Sequence, residues 1–146
     1  MTIGQSNEST KFKHGELTEK IIGVFYDVYN ELGGGFLESV YHGAMTIALE
    51  QAGLKVEREV AVPVLFRGRS VGDYRADLLV EKKVIVELKA VRILEPSHEA
   101  QLHHYLRATN VEVGLLFNFG VKPQMRRLAF DNSGKRQMHQ IATPHS

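Results

Sequence analysis

The sequence predicts an α/β fold in which a mixed β-sheet is flanked by helices. Three observations lead to this prediction: two amphipathic helical patterns open the chain, three strand-like runs follow, and a third helical pattern separates them from a further apolar strand. A helical crossover makes that later strand parallel to the strand before it, so the sheet should be mixed. The predicted element order is α-α-β-β-β-α-β, which is an α/β sandwich.

The two opening helices are predicted over 15–32 and 36–52, because apolar residues recur there every three or four positions. The triplet Gly33-Gly34-Gly35 separates them. It is better interpreted as a tight turn than as a phosphate-binding loop, because no strand precedes it and no Lys-Ser/Thr pair follows. Gly53 ends the second helix. The predicted inward stripe of that helix consists of Leu37, Val40, Ala44, Ile47 and Ala48.

Three strands are predicted next, over 55–66, 71–80 and 84–91, because β-branched and apolar residues dominate these runs. Arg67-Gly68-Arg69 turns the first strand back onto the second. The polar triplet Glu81-Lys82-Lys83 separates the second and third strands, which favours an antiparallel hairpin.

A helix over 98–109 follows the hairpin, and Ser97 is its predicted N-cap. The run over 111–119 is apolar at nearly every position, so it should be a strand buried on both faces. A short edge strand is predicted over 125–130.

The bulk composition is that of an ordinary globular protein, with 43% hydrophobic and 24% charged residues. A chain of 146 residues fits one domain, predicted over 15–130, with a disordered tail over 1–14 and a flexible tail over 131–146. No apolar run approaches the roughly 20 residues of a membrane span, and no secretory signal is evident, so we expect a cytoplasmic protein. The absence of cysteine excludes disulfides and zinc-thiolate sites.

The net charge of +1 excludes a strong overall attraction to nucleic acid, but the charge is unevenly distributed. Residues 1–60 contain five Lys/Arg and nine Asp/Glu, whereas residues 61–146 contain thirteen and eight. Any one of the basic residues, taken singly, is more often a solvated surface residue. The candidate phosphate contacts are Arg67, Arg69, Arg75, Lys122, Arg126, Arg127, Lys135 and Arg136.

The hairpin carries the charges that suggest chemistry. With a three-residue loop, Asp77 lies opposite Glu87 on one face, with Lys89 beside them, while Ala76, Leu78 and Val80 share the other face. Two opposed carboxylates repel each other, and a hard divalent cation such as Mg²⁺ or Mn²⁺ would reverse that repulsion. With a lysine placed to stabilise negative charge, the pattern indicates metal-assisted hydrolysis of a phosphodiester. The alternative is a solvated sheet face, although charges in so apolar a strand are rarely incidental.

This order of elements and residues resembles the PD-(D/E)XK nuclease-like superfamily, whose restriction-endonuclease-like core has the order α-β-β-β-α-β. Its acid on the second core strand corresponds to Asp77, and its Glu-x-Lys on the third corresponds to Glu87-Leu88-Lys89; Ala76 stands where the strict motif has proline. Gln101-Leu-His-His-Tyr105 resembles the Gln-x-x-x-Tyr motif of RecB-like members. Gly35-Phe-Leu-Glu38-Ser-Val-Tyr41 resembles the signature of the GxxExxY family, a small bacterial group.

The resemblance implies a metal site. Asp77 and Glu87 would bind Mg²⁺ or Mn²⁺, the Leu88 carbonyl would be a further ligand, and Glu38 would bind directly or through a water. Lys89 would orient the attacking water and stabilise the charge of the transition state.

The resemblance also implies supporting roles on the following helix. Gln101 would hold the geometry of the site, and Tyr105 would contact a phosphate or support Lys89. His103 and His104 diverge by about 100° on a helix, so they cannot easily bind one ion, and we expect them to be surface or packing residues. His98 shares the face of Gln101 and either reaches a phosphate or, more often for such a position, serves the helix N-terminus.

The function implied by the resemblance is a nuclease acting on DNA, with RNA the less favoured substrate. The alternative is a non-catalytic nucleic-acid-binding or assembly module that keeps the fold. A dinucleotide-binding enzyme using the glycine triplet is disfavoured by the missing strand. We expect sequence-specific recognition to need a partner or a homodimer, because 146 residues leave no space for a separate specificity domain.

Overall fold

The computed structural model describes residues 13–135. Its elements, in chain order, are α1 (Gly15–Leu32), α2 (Glu38–Gln51), β1 (Val56–Phe66), β2 (Arg69–Val80), β3 (Val84–Lys89), α3 (Pro96–Ala108), β4 (Val113–Phe119), β5 (Pro123–Ala129) and a 3-10 turn (Asn132–Gly134).

The five strands form one sheet in the order β1-β2-β3-β4-β5. Neighbouring strands are antiparallel except β3 and β4, which pair in parallel from Val84↔Val113 to Lys89↔Asn118. The crossover between those two strands is α3, as the apolar run and the preceding helical pattern predicted. The fold-class prediction of a mixed sheet flanked by helices is therefore confirmed.

Two apolar clusters lie on opposite faces of the sheet. On one face, α1 and α2 pack through aromatic rings: Phe25 stacks on Phe117 at 4.3 Å and Tyr41 on Phe119 at 4.0 Å. On the other face, Leu102 and Leu106 of α3 pack against β2, β3 and β4. Because β4 is buried along its whole length, it anchors both layers.

The predicted inward stripe of α2 is wrong at Leu37, Val40 and Ile47, whereas Ala44 and Ala48 pack against the core as predicted. Leu37 precedes the helix and is 78% exposed, and Ile47 is 57% exposed, whereas Tyr41, Met45 and Leu49 are buried. Both sets recur at helical spacing, so periodicity alone does not choose between them. The larger side chains fill the space against the sheet, where Tyr41 stacks on an aromatic ring of β4.

The predicted N-cap of α3 is also wrong, because the helix begins two residues earlier than the pattern suggested. Glu95 is the N-cap, Pro96 follows it, and a capping box joins Glu95 to His98. The Nδ1 atom of His98 accepts the backbone N–H of Glu95 at 3.0 Å. Proline suits the first helical position because its φ angle is fixed and its missing N–H would have no helical partner. His98 therefore has the helix-terminal role.

β1 and β2 form a ribbon that leaves the sheet. β2 pairs with β1 from Arg69 to Val80, but it pairs with β3 only from Leu78 to Val80. Ala76 joins the α3-facing cluster, although Leu78 and Val80 belong to the other one, so the predicted shared face is wrong at Ala76. The change of face between Ala76 and Leu78 coincides with Glu59 on β1, which lies opposite Asp77 and has a φ of 49°. The ribbon changes face at the position of Asp77.

Residues 1–12 and 136–146 lie outside the described residues, and most of the two predicted tails falls there. The described ends contact the domain: Lys13 pairs with Glu112 at 2.7 Å, and Lys135 Nζ donates to the carbonyls of Thr109 and Val111 at 2.8 Å each. No helix within residues 13–135 has both the length and the apolar character needed to cross a membrane.

Candidate active site

Asp77 and Glu87 face each other where β2 separates from β3. The backbone N–H of Asp77 donates to Oε2 of Glu87 at 3.1 Å, and the backbone N–H of Leu88 donates to Oδ2 of Asp77 at 2.8 Å. The last regular pair of the β2–β3 ladder is Leu78↔Val86, so carboxylate oxygens replace the backbone acceptors that the next pair would supply. The predicted juxtaposition of the two carboxylates is what the structure shows, at a fork between two strands.

Burial disfavours the negative charges of this carboxylate pair. Glu87 is only 4% exposed. Desolvation and the neighbouring charge of Asp77 raise the pKa of Glu87 to about 8. Desolvation likewise raises the pKa of Asp77, although the N–H of Leu88 acts in the opposite direction. The two groups titrate as a coupled pair, and the fork disfavours carrying both negative charges without a cation.

Lys89 lies two residues after Glu87, is half buried, and lowers the pKa of both carboxylates by its charge. Glu38, the first residue of α2, is exposed and raises the pKa of Asp77, which places its charge within electrostatic reach of the fork. The predicted neighbours of the carboxylate pair therefore come from β3 and from the start of α2.

His42 is a site neighbour that the sequence analysis missed. Its Nε2 atom lies 3.6 Å from Oδ2 of Asp77, and its charge when protonated lowers the pKa of that carboxyl. The signal was present in the sequence: His42 follows Glu38 by four residues, so the two side chains share a face of α2. Tyr41, by contrast, faces the core, where its hydroxyl donates to the carbonyl of Gly33 at 2.6 Å.

Gln101 and Tyr105 act on β2 from α3. The exposed Gln101 donates its amide N–H to Oη of Tyr105 at 3.3 Å, and the Tyr105 hydroxyl donates to the carbonyl of Arg75 at 3.0 Å. Tyr105 is only 2% exposed, and burial together with the charge of Glu87 raises its pKa. The Tyr105 hydroxyl is thus a buried hydrogen-bond donor that fixes β2 two residues before Asp77.

A cavity of about 490 Å³ lies beyond the C-terminal ends of β3 and β4. Its walls are formed by residues 34–36, just before Glu38, by residues 90–92, just after Lys89, and by residues 119–121. Gly34 permits this arrangement, because a Cβ atom there would lie 2.3 Å from the carbonyl oxygen of Gly120. The glycine triplet connects α1 to α2, and Gly34 lets this connection approach the loop after β4 closely.

Several candidate phosphate contacts have structural partners instead. Arg126 pairs with Glu99 at 3.2 Å, Arg127 donates to the carbonyl of Lys13 at 2.7 Å, and Lys135 binds two carbonyls. Arg136 lies outside the described residues. The histidine pair has the predicted packing role, with His103 stacked on Phe130 and His104 against Tyr74.

Among the described residues, no group of three or more histidine, aspartate or glutamate side chains is gathered closely enough to hold a metal ion. The structure brings together two of the predicted side-chain ligands, Asp77 and Glu87, and leaves Glu38 outside that pair. The pair by itself still suits a hard cation by its chemistry: Mg²⁺ often binds through one or two carboxylates and keeps several waters.

Comparison with known proteins identifies the fold and the family. The family model of the PD-(D/E)XK nuclease superfamily matches residues 15–128. The crystal structure of SSO0001 is similar in fold, with a TM-score of 0.50 and 20% sequence identity over 64% of this chain; the chain spans about half the length of that protein, 50% of which is covered. No curated protein matches the chain.

The family model covers all the elements that build the fork, from α1 to β5. The chain therefore belongs to the PD-(D/E)XK nuclease superfamily.

Proposed function

We propose that this protein is a nuclease that hydrolyses phosphodiester bonds in DNA with the help of Mg²⁺ or Mn²⁺ bound at Asp77 and Glu87. The observation that carries the proposal is the pair of carboxylates held together at the fork, where burial raises the pKa of both groups and the charge of Asp77 raises that of Glu87 further. Perturbed carboxylates of this kind in a cleft are typical of functional sites. Membership of a superfamily of nucleases supports the same reaction class.

The ligand set would be small. Asp77 and Glu87 each use one oxygen to accept a backbone N–H, which leaves one oxygen of each for a cation. The N–H of Leu88 points toward β2, and the carbonyl of an extended residue lies on the same side of its strand, so the Leu88 carbonyl is a further candidate. Glu38 would join through a water. A cation bound there would act as a Lewis acid on a phosphoryl oxygen.

The chain's own residues would position and stabilise the reacting groups. Lys89 brings a positive charge beside both carboxylates, where it can orient a water and stabilise the negative charge that develops on the phosphoryl oxygens. Gln101 and Tyr105 would be positioning residues, because Tyr105 holds the carbonyl of Arg75 on β2 and Gln101 holds the hydroxyl of Tyr105. The cavity beyond Lys89 gives space for part of a nucleotide. Within the superfamily, we also propose that the chain is a member of the GxxExxY family with the supporting motifs of RecB-like nucleases.

The competing function is a nucleic-acid-binding module that does not cleave. The variant Lys89→Ala distinguishes a nuclease from a non-cleaving module. For a nuclease we expect cleavage of an oligonucleotide to fall at least a hundredfold, because electrostatic stabilisation of a transition state by one group contributes about 10²–10³ in rate. The Mg²⁺ affinity measured by calorimetry should be retained. Lys83→Ala, which removes an exposed charge from the β2–β3 turn, is the matched control. Oligonucleotide binding without cleavage in wild type, unchanged by Lys89→Ala, would favour the module.

A further inference from the structure

The ribbon formed by β1 and β2 continues past the fork as a projecting arm. We define the arm as residues 63–73, which include the turn Arg67-Gly68. β2 has no partner on its outer edge along this stretch within the described residues, because its pairing with β3 ends at Leu78. The side chains are open to solvent: Phe66 is 58% and Val71 is 64% exposed. Unpaired edges with exposed apolar residues are uncommon in soluble proteins without a binding role.

The tip of the arm is positively charged. Arg67 and Arg69 are both exposed, and neither pairs with a carboxylate among residues 13–135. The guanidinium of Arg67 lies 4.8 Å from the ring centroid of Phe66, and Asp73 is the one acidic residue of the arm. Of the candidate phosphate contacts, these two arginines are at the tip and remain available, whereas Arg126, Arg127 and Lys135 contact the domain itself.

The segment of β2 that joins the arm to the active site packs against α3. The ring of Tyr74, the residue directly after the arm, contacts the rings of Tyr105 and His104 at 5.6 and 5.1 Å. Tyr105 holds the carbonyl of Arg75, two residues before Asp77. Arg69 lies eight residues before Asp77 on the same strand, so it stands up to about 26 Å from the carboxylate pair at the usual rise of a strand, and Arg67 lies beyond it in the turn.

We propose that the arm binds the phosphodiester backbone of the nucleic acid beside the bond to be cleaved, with Arg67 and Arg69 contacting phosphates up to about eight nucleotides from the fork. The proposal rests on the proposed function for its substrate class. The arm diverges from β3 at the fork, so a strand bound at Asp77 and Glu87 leaves along the free edge of β2. A two-stranded ribbon is narrow enough to follow a groove of duplex DNA, and arginine is well suited to phosphate contacts.

The test is a binding measurement that needs no catalysis. Fluorescence anisotropy in chelator compares wild type with Arg67→Ala/Arg69→Ala on oligonucleotides of about 6 and about 24 residues or base pairs, single- and double-stranded. We expect the double variant to bind the long substrate at least tenfold more weakly and the short one nearly as well as wild type. The slope of log K against log salt should decrease by about two on the long substrate, one unit for each phosphate that an arginine no longer neutralises.

Lys20→Ala/Lys83→Ala is the matched control. It also removes two exposed positive charges, but from α1 and from the β2–β3 turn, and we expect it to leave the length dependence unchanged. The better-bound strand form identifies the substrate. Equal affinities of wild type and the arginine variant at every length, or no binding by either protein, would overturn the proposal. So would a change in association state on sedimentation without a length effect, which would make the arm a contact between two copies of the chain.

A cleavage assay with Mg²⁺ or Mn²⁺, run beside this binding measurement, distinguishes failure of the arm proposal from failure of the proposed function. If wild type cleaves DNA but the arginine variant binds every length normally, the arm assignment fails and the nuclease assignment stands. If the length dependence appears but no cleavage occurs with Mg²⁺ or Mn²⁺, the nuclease assignment fails and the arm assignment stands.

Discussion

The carboxylate of Glu87 accepts the backbone N–H of Asp77 at 3.1 Å, so the two acids of the fork are linked through the backbone as well as by proximity. The carboxylate of Asp77 in turn accepts the N–H of Leu88 at 2.8 Å. Reciprocal bonds of this kind hold both groups at fixed positions while burial disfavours their charges. The fold thus keeps an unfavourable charge arrangement in place, which is the arrangement that a cation would relieve.

Metal affinity should depend on pH through Glu87. Because the pKa of Glu87 is raised to about 8 in the metal-free protein, a cation must displace its proton at neutral pH. We expect Mg²⁺ or Mn²⁺ affinity to increase between pH 6 and 8, by up to about tenfold per unit, and to level off above pH 8. Calorimetry in buffers of different ionisation enthalpy should detect proton release on binding. An affinity that is constant from pH 6 to 9 would contradict the prediction.

The same carboxyl should make the metal-free protein less stable as pH rises. The folded pKa of about 8 exceeds the ordinary value of 4.5, so between these values the folded state keeps a proton that the unfolded state has released. The stabilisation is therefore complete below pH 4.5 and is lost as pH rises through 8. We expect Glu87→Gln, which mimics the protonated acid, to be more stable than wild type at pH 8 by a few kcal/mol.

Urea unfolding in chelator at pH 5 and pH 8 measures this effect. Glu19→Gln, at an exposed position of α1, is the control that removes the same charge and should leave the pH dependence as in wild type. If Glu87→Gln lost stability at pH 8, the conclusion that this buried charge is unfavourable would be wrong.

Two neighbours should shift the titration of Asp77 in opposite directions. His42 lowers the pKa of Asp77 and Glu38 raises it. His42→Ala should therefore raise that pKa, and Glu38→Gln should lower it. Carboxyl chemical shifts measured by NMR in metal-free protein give both values directly. Shifts of the same sign in both variants would show that the variants act by rearranging the fork rather than by charge.

The close approach of two loops below the cavity should not tolerate a side chain. Gly34→Ala would place Cβ 2.3 Å from the carbonyl oxygen of Gly120, so we expect unfolding free energy to fall by about 1–3 kcal/mol. Gly23→Ala, on α1 with no atom near its Cβ position, should instead stabilise the protein by about 0.5–1 kcal/mol. Thermal unfolding of both variants compares them, and similar effects of equal sign would refute the packing argument.

Local sequence patterns predicted most of the fold, because strands and helices differ in their apolar period. The pairing of β3 with β4 and the opposition of Asp77 to Glu87 followed from one loop length and one crossover. The inward face of α2 did not follow, since two stripes compete there and the aromatic rings of β4 decide between them. The cap of α3 was missed because serine is a favoured N-cap residue and Ser97 was chosen for that reason, whereas Glu95 is the N-cap and Pro96 is the first helical residue.

At the site, sequence motifs identified the groups but not their environment. The period-two pattern of β2 predicted one face for Ala76 and Leu78, but Glu59 in a left-handed conformation on the neighbouring strand accompanies a change of face between them. His42 was not predicted as a site residue, because its partner, Asp77, is brought near it only by the packing of α2 against β2. The sequence does not distinguish Arg67 and Arg69 from other surface arginines, because only the pairing of β2 places them on a projecting ribbon.

The measurement that most directly tests the central claim is cleavage of a fluorescent oligonucleotide by wild type and by Asp77→Asn, each with Mg²⁺, with Mn²⁺ and with chelator. Asparagine keeps the shape and an oxygen acceptor for the N–H of Leu88 but removes the charge that would hold a cation. We predict cleavage by wild type in either metal, none in chelator, and a loss of at least a hundredfold in the variant. Metal-dependent cleavage of equal rate in both proteins, or no cleavage by wild type on any single- or double-stranded substrate, would contradict the account.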